Sequence, residues 1–276
     1  MRPEVVNLFG FLPIHSYGLM IVIGFLVLLF VGAREVRRRG LPDHFTDLAI
    51  AMLLCGIAGG RIFYYIQFYE TSYADKPFWE IFQIWKGGLV FYGGLIGGLI
   101  GGLVFLCRKK LPIRDYLDVI SMVAPIGMGF GRFGCFFNGC CYGRLCSQDF
   151  PLAVVFPPTS PAATKHLDVE LIQSGEEALA VHPVQLYQAT HDFLAFFLIW
   201  IFLRWTSPPK GAGVPFFLVI YGIGRFFLEG LRADNNPTWG GLTISQNISL
   251  ALVTVFGVLL VAMYWKARRV TSRCTG

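Results

Sequence analysis

Residues Gly87–Phe105, GGLVFYGGLIGGLIGGLVF, run for nineteen positions without a charge. Glycines recur every fourth position in two adjacent registers, Gly93, Gly97 and Gly101, then Gly94, Gly98 and Gly102. A helix of about 20 apolar residues crosses the hydrocarbon core of a bilayer. Glycines four apart lie on one helical face and let a neighbouring backbone come close. The stretch therefore reads as a membrane span, over 86–106, packed tightly in a bundle.

Working outward, six more apolar stretches lie at 16–33, 46–64, 116–137, 185–203, 213–231 and 246–265. A chain of 276 residues that is 55% hydrophobic and only 14% charged fits this pattern. The expectation is an all-α integral membrane protein of seven transmembrane helices, a single membrane domain over 1–276. Orientation follows from the cations between the spans. Arg34, Arg37, Arg38, Arg39, Arg108, Lys109, Lys110, Arg114, Arg204, Lys210, Lys266, Arg268, Arg269 and Arg273 fall on one side. The other side carries Arg2, Lys76, Arg144, Lys165 and Arg232. The positive-inside rule then puts the N-terminus outside and the C-terminus in the cytoplasm. The net charge of +6 is mostly topology and attraction to anionic headgroups, and no nucleic-acid partner is expected. The first apolar segment lacks the basic start and cleavage site of a signal peptide, so it is expected to stay in place.

One connection is long. Residues 144–184 read as a small external arm, with prolines breaking VVFPPTSPAATKH and DVELIQSGEEALAV forming a short amphipathic helix and turn. The aromatic-rich segment 65–85 reads as an interfacial helix at the headgroup level. Cys135, Cys140, Cys141 and Cys146 cluster at the outer end of the fourth span, where an oxidising compartment would permit one disulfide. Their C-x4-C-C-x4-C spacing matches no zinc pattern, and neither metal nor cofactor is expected.

Ionisable groups in apolar spans are costly and tend to line functional cavities. Arg132 lies about 16 residues beyond Tyr116, roughly 24 Å along a helix, which places it near the outer interface. Arg61, in GGRIFYY, and Arg225, in YGIGRFFLEGLR, reach a similar depth, and Glu229 shares a helical face with Arg225. Three arginines at one level form a cationic pocket suited to an anionic lipid headgroup, because the planar guanidinium binds phosphate oxygens in pairs. The alternative for each is a snorkelling or structurally paired side chain. Tyr17, Tyr92, His182, Gln185, Tyr187, His191 and Asp192 reach the same level.

These stretches together resemble the bacterial prolipoprotein diacylglyceryl transferases. The resemblance runs through HSYGLM (15–20), GGRIFYY (59–65), KGGLVFYGGLIGG (86–98), GRFGCFFNGCCYG (131–143), HPVQLYQ (182–188) and YGIGRFFLEGLR (221–232), nearly the whole chain. It implies a multi-pass enzyme of the bacterial inner membrane with its active site toward the outer leaflet. That enzyme moves the diacylglyceryl group of phosphatidylglycerol to the lipobox cysteine thiol of a lipoprotein precursor, leaving a thioether and releasing glycerol phosphate. Carried over by position, Arg132 and Arg225 hold the headgroup and Glu229 orients Arg225. Tyr17, Asn138, Gly139 and Gly143 shape the site, and Arg61, His182 and Gln185 join the substrate-binding set. Three positions depart from the family pattern: Tyr92 stands for a histidine, Cys135 for an asparagine and Cys140 for a glutamate. Tyr92 keeps a place among the catalytic candidates, but a phenol with an ordinary pKa near 10 is a poor resting base, so the group that takes the thiol proton is unassigned. Two other classes compete with the transferase: a transporter or channel for an anionic solute, and a lipid-binding relative without turnover or with another acceptor.

Overall fold

The computed structural model describes residues 4–8, 12–73, 77–83, 87–233, 238 and 240–274. A short antiparallel hairpin, β1 (Glu4–Leu8) and β2 (Leu12–His15), leads into eight α-helices. They are α1 (Ser16–Arg38), α2 (Phe45–Gln67), α3 (Phe91–Arg108), α4 (Ile113–Asn138), α5 (Pro161–Asp168), α6 (Val184–Trp205), α7 (Gly213–Glu229) and α8 (Ile244–Cys274). Six of them, α1, α2, α3, α4, α6 and α8, are long and apolar enough to cross a membrane. The chain is thus a multi-pass membrane protein, largely helical, with the hairpin as an addition to the all-α expectation. α7 is 17 residues long and carries Arg225 and Glu229 in its last two turns.

Several boundaries differ from the sequence reading for identifiable reasons. α3 starts at Phe91 because Gly87 and Gly88 take left-handed backbone angles, φ 79° and 81°, that a helix does not use. α1 and α8 run on through their basic ends, since arginine and lysine are good helix formers. In the arm the helix forms over Pro161–Asp168 and the 168–181 stretch expected to be helical forms turns and extended chain. Pro161 starts that helix where it was expected to break one: it occupies the first helical turn, and the Ser160 hydroxyl accepts the N–H of Ala163. In place of an interfacial helix over 65–85 there are a π-helical turn at Tyr69–Tyr73 and a 3-10 turn at Phe78–Phe82. Arg2 and Lys76, two of the cations used for orientation, lie outside the described residues.

The chain divides into two compact units, Leu29–Tyr116 and Met1–Leu28 with Leu117–Gly276. In the first, α2 and α3 meet through their glycines. A Cβ on Gly93 would sit 2.5 Å from the Gly59 carbonyl oxygen, and one on Gly97 would run into the carbonyl of Cys55. Backbones this close exchange dispersion along their whole length and leave no room for side chains. Buried Arg61 closes the end of this pair where α2 finishes and α3 begins. Its Nε donates to Ile81 O at 2.6 Å, Nη1 to Gly87 O at 2.6 Å and Gly88 O at 3.1 Å, and Nη2 to Glu80 O at 2.9 Å and Gln83 O at 3.2 Å.

In the second unit, the first half of α1 packs on α4, where Gly24 admits Phe130 and Gly134 admits Tyr17. Gly129 of α4 admits Phe193 of α6, and Gly222 of α7 admits Val253 of α8. Asp118, buried near the start of α4, accepts the backbone N–H groups of Gly211 at 2.9 Å and Gly213 at 2.8 Å, which fixes the α6–α7 turn. The arm has its own small core of Phe156, Ala162, Ala163, Ala178 and Val181.

Candidate active site

α4 ends in a turn that its sequence dictates. Gly139 adopts φ 70°, its N–H donates to Phe136 O at 3.1 Å, and the Cys140 N–H donates to Cys135 O at 3.1 Å. This pair of bonds is a Schellman motif, which satisfies the last helical carbonyls and brings the flanking side chains, here Cys135 and Cys140, together. Cys141 is also left-handed, φ 59°, and turns the chain again. Gln185 then holds the turn from α6, donating Nε2 to Cys140 O at 2.8 Å. Beyond it, Gly143 N–H donates to His182 O at 2.9 Å and Arg144 N–H to Leu231 O at 2.8 Å, so 143–144 is tied on both sides. Gly143 cannot carry a side chain there, because a Cβ would lie 2.7 Å from the His182 oxygen.

Next to this turn α4, α6 and α7 enclose a cleft lined by Met128, Arg132, Gln188, His191, Asp192 and Arg225, among others. The close approach of α6 and α7 depends on Gly224, whose missing side chain leaves the space that the His191 ring fills. Buried Glu229 forms an ion pair with Arg225, Oε2 to Nη2 at 2.9 Å, and its Oε1 accepts from the Thr243 hydroxyl at 3.1 Å. Arg225 Nη2 also lies 3.3 Å from Ser245 Oγ. Two donors in the cleft are unspent. Arg225 Nη1 is buried without a hydrogen-bond partner among the described residues. Arg132 is half-buried, and no described residue forms a hydrogen bond or ion pair with it. A buried guanidinium with open donors is costly unless an anion completes it.

The candidate residues therefore separate. Arg132 and Arg225 line one cleft, with Glu229 paired to Arg225 and Tyr17 lying over Gly134, two residues beyond Arg132 on α4. Gln185, Gly139 and Gly143 build the adjoining turn. His182 stacks edge-on against Phe150 with ring centroids 4.8 Å apart. Asn138 and Gly139 border a second cavity of about 190 Å³ together with Phe156 and Ser160 of the arm. Arg61 and Tyr92 belong to the other unit, where Arg61 is saturated by carbonyls and Tyr92 is 63% exposed at the start of α3. The cleft takes in His191 and Asp192, already placed at this level by the sequence, and adds Gln188 and Tyr221. Helical spacing was the available signal: Gln188, His191 and Asp192 fall at i, i+3 and i+4, and Tyr221 stands four residues before Arg225.

The cysteines form a second feature of the turn. Cys55, Cys107, Cys135, Cys140, Cys141 and Cys146 are free thiols, and the sulfurs of Cys135, Cys140 and Cys141 lie within 4.8 Å of one another. Beyond the helix, hydrogen bonds from Cys135 and Cys140, aided by the charges of Arg232 and Arg132, hold the Cys141 thiol well below its ordinary pKa. Cys140 is pushed up: a hydrogen bond from Cys135 favours its thiolate, but the one shared with Cys141 and burial outweigh it.

Comparison with known proteins agrees with this architecture. A family model described as prolipoprotein diacylglyceryl transferase matches residues 3–263. A phosphatidylglycerol–prolipoprotein diacylglyceryl transferase of Clostridium tetani is 34% identical over 92% of this chain and 95% of its own length. Proteins of the same name from Paraburkholderia phymatum and Erwinia tasmaniensis are 29% and 31% identical, covering 99% and 96% of this chain and 97% and 92% of theirs.

Proposed function

The chain belongs to the prolipoprotein diacylglyceryl transferase family, and we propose that its reaction, transfer of the diacylglyceryl group of phosphatidylglycerol to a prolipoprotein, takes place at the cleft of Arg132 and Arg225. The observation that carries this assignment is the pair of unspent guanidinium donors, on two different helices, lining one space. The headgroup phosphate of phosphatidylglycerol supplies the missing acceptors. As the carbon–oxygen bond to the phosphate breaks, negative charge grows on the leaving glycerol phosphate, and donors already in place stabilise it more than they stabilise the substrate. Glu229 acts as the positioning residue, since its ion pair with Nη2 anchors the Arg225 guanidinium at the cleft. The cavity is narrow, about 10 Å³, so α4, α6 and α7 spread to admit a headgroup.

The acceptor in this reading is the thiol of the lipobox cysteine, which attacks the glyceryl carbon to give a thioether. The arm at 144–184, beside the cavity bordered by Asn138, receives the precursor's signal segment. α7 is taken as the seventh span, because 17 residues suffice for a short crossing. With seven spans the positive-inside rule places the N-terminus outside, the C-terminus in the cytoplasm and the cleft toward the outer leaflet of the bacterial inner membrane.

The test uses the full chain in detergent with phosphatidylglycerol and a lipobox peptide, following the thioether peptide by mass. Arg132→Ala and Arg225→Ala are each expected to lower turnover by about 100-fold or more, the usual effect of losing a donor to developing charge. Arg37→Ala, whose exposed guanidinium pairs with Asp43 at 3.2 Å, is expected to retain it. Equal turnover in all three variants would remove the cleft from the reaction.

A further inference from the structure

The thiols of Cys135, Cys140 and Cys141 come from the α4 end itself and are unused by the cleft chemistry. Their sequence spacing resembles no zinc finger, and the fold explains why that test misses them. Zinc-finger spacing reflects a knuckle of chain wrapped around a metal. Here the Schellman turn places residue 135 beside residue 140, and the left-handed Cys141 adds a third sulfur. All three sulfurs lie within 4.8 Å of one another. A zinc–sulfur bond of about 2.3 Å puts tetrahedral thiolates about 3.8 Å apart, so a small contraction of the side chains closes the site. Among the described residues the group ends at three ligands. Three protein ligands and one open position are the arrangement of a catalytic zinc site, whereas a structural site is closed by four.

The surroundings suit such an ion. Three thiolates on a divalent cation carry one net negative charge, and Arg132 and Arg232 lie close enough to Cys141 to act on its charge. The backbone of the turn is held by Gln185 and by the 143–144 ties, so the ligands are fixed before the ion arrives. Arg132 stands one helical turn before Cys135, which puts the trio beside the headgroup cleft.

We propose that Cys135, Cys140 and Cys141 form a three-thiolate site for a thiophilic divalent ion, zinc in the first instance, whose fourth position takes the acceptor thiol of the prolipoprotein. This rests on the transferase reading and supplies what that reading lacks, a way to deprotonate the thiol without a general base. A thiol that coordinates zinc loses its proton, which passes to water and finally to the released phosphate. The sulfur lone pair then forms the S–C bond to the glyceryl carbon. The C–O bond to phosphate breaks, and its electron pair leaves with glycerol phosphate beside Arg132 and Arg225. No redox partner is required.

The experiment measures metal content and product separately. The full chain is purified in detergent with a reductant, and zinc is counted by elemental mass spectrometry. About one ion per chain is expected in the wild type and in Cys146→Ser, whose sulfur lies outside the trio, and at least tenfold less in the triple variant Cys135→Ser, Cys140→Ser, Cys141→Ser. Cobalt replacing zinc should show the near-ultraviolet thiolate charge-transfer absorption, and adding the lipobox peptide should shift its visible bands. Wild type holding no more zinc than the triple variant, cobalt without the thiolate band, or two of the three cysteines joined as a disulfide in the active protein would each overturn the site. If the chelator-stripped wild type forms thioether at the full rate, the metal proposal falls and the transferase reading stands. If metal-loaded wild type forms none, the transferase reading falls, and with it the role given to the open position.

Discussion

Arg61 and Arg225 are the same residue, each in the last two turns of its helix, and the structure treats them in opposite ways. Arg61 spends its guanidinium on five backbone carbonyls, holding an irregular stretch of chain against α2. Arg225 spends one nitrogen on Glu229 and Ser245 and leaves Nη1 open in a cleft. The glycines differ in the same way. Those of α2 and α3 let backbone touch backbone, whereas Gly134, Gly139, Gly143 and Gly224 make room for a tyrosine, a tight turn, a carbonyl and a histidine. An arginine inside an apolar helix is therefore not by itself the mark of a site. What separates the two is unspent hydrogen-bonding capacity, and the proposed site rests on it.

The largest effect that can test this contrast is at Arg61. Removing a side chain that satisfies five carbonyls leaves each of them short in a region with little water, at a cost of about 1–3 kcal/mol per group. Arg61→Ala is expected to abolish accumulation of folded protein, measured as monodisperse chain after detergent extraction, and Arg61→Lys to rescue only part of it. Arg225→Lys should accumulate normally and lose turnover instead, since a point charge cannot reproduce the fork. If Arg61→Ala were stable and inactive, Arg61 would belong with the headgroup donors and the distinction drawn here would collapse.

What could be read beforehand divides along the same line. The apolar runs announced the spans, and the glycine periodicity of Gly93 to Gly102 announced a tight helix pair, because both are local patterns. Arg132, Arg225 and Glu229 were legible because charge in an apolar span is rare. The saturation of Arg61 was not, since its partners are main-chain carbonyls some 20 residues away that carry no signature in side-chain identity. The meeting of three thiols was hidden too: Cys135 and Cys140 look distant until Gly139 is known to take a left-handed angle. Pro161 misled because proline breaks a helix interior yet favours its first turn, and only the Ser160 cap distinguishes the two.

A smaller effect sharpens the difference between the two kinds of glycine. On α3, Gly97→Ala drives a methyl into the Cys55 carbonyl. Neither backbone can yield without separating the helices, and overpacking of this sort costs about 1–3 kcal/mol. Gly127→Ala in α4 meets nothing within 4 Å and should be neutral or stabilising by up to about 1 kcal/mol through helix propensity. Thermal unfolding in detergent should place Gly97→Ala below the wild type and Gly127→Ala at or above it, and equal melting temperatures for the two variants would show that the α2–α3 seam is looser than its geometry.

The smallest effect lies in the arm and depends on pH. His166 is buried, and its Nδ1 accepts the Leu179 N–H at 3.1 Å, which a protonated ring cannot do. Burial lowers its pKa below the ordinary value of about 6.5. The folded arm therefore binds fewer protons than the unfolded arm in the range just below that value, and its stability falls as the pH falls. It is complete above about pH 6.5 and declines on acidification until the folded ring itself protonates. Hydrogen exchange at the Leu179 amide should accelerate severalfold between pH 7.5 and 5.5 after correction for the intrinsic pH dependence of exchange. His166→Asn, which keeps an acceptor that does not titrate there, should remove most of the change. An unaltered profile in that variant would assign the acid sensitivity to another group.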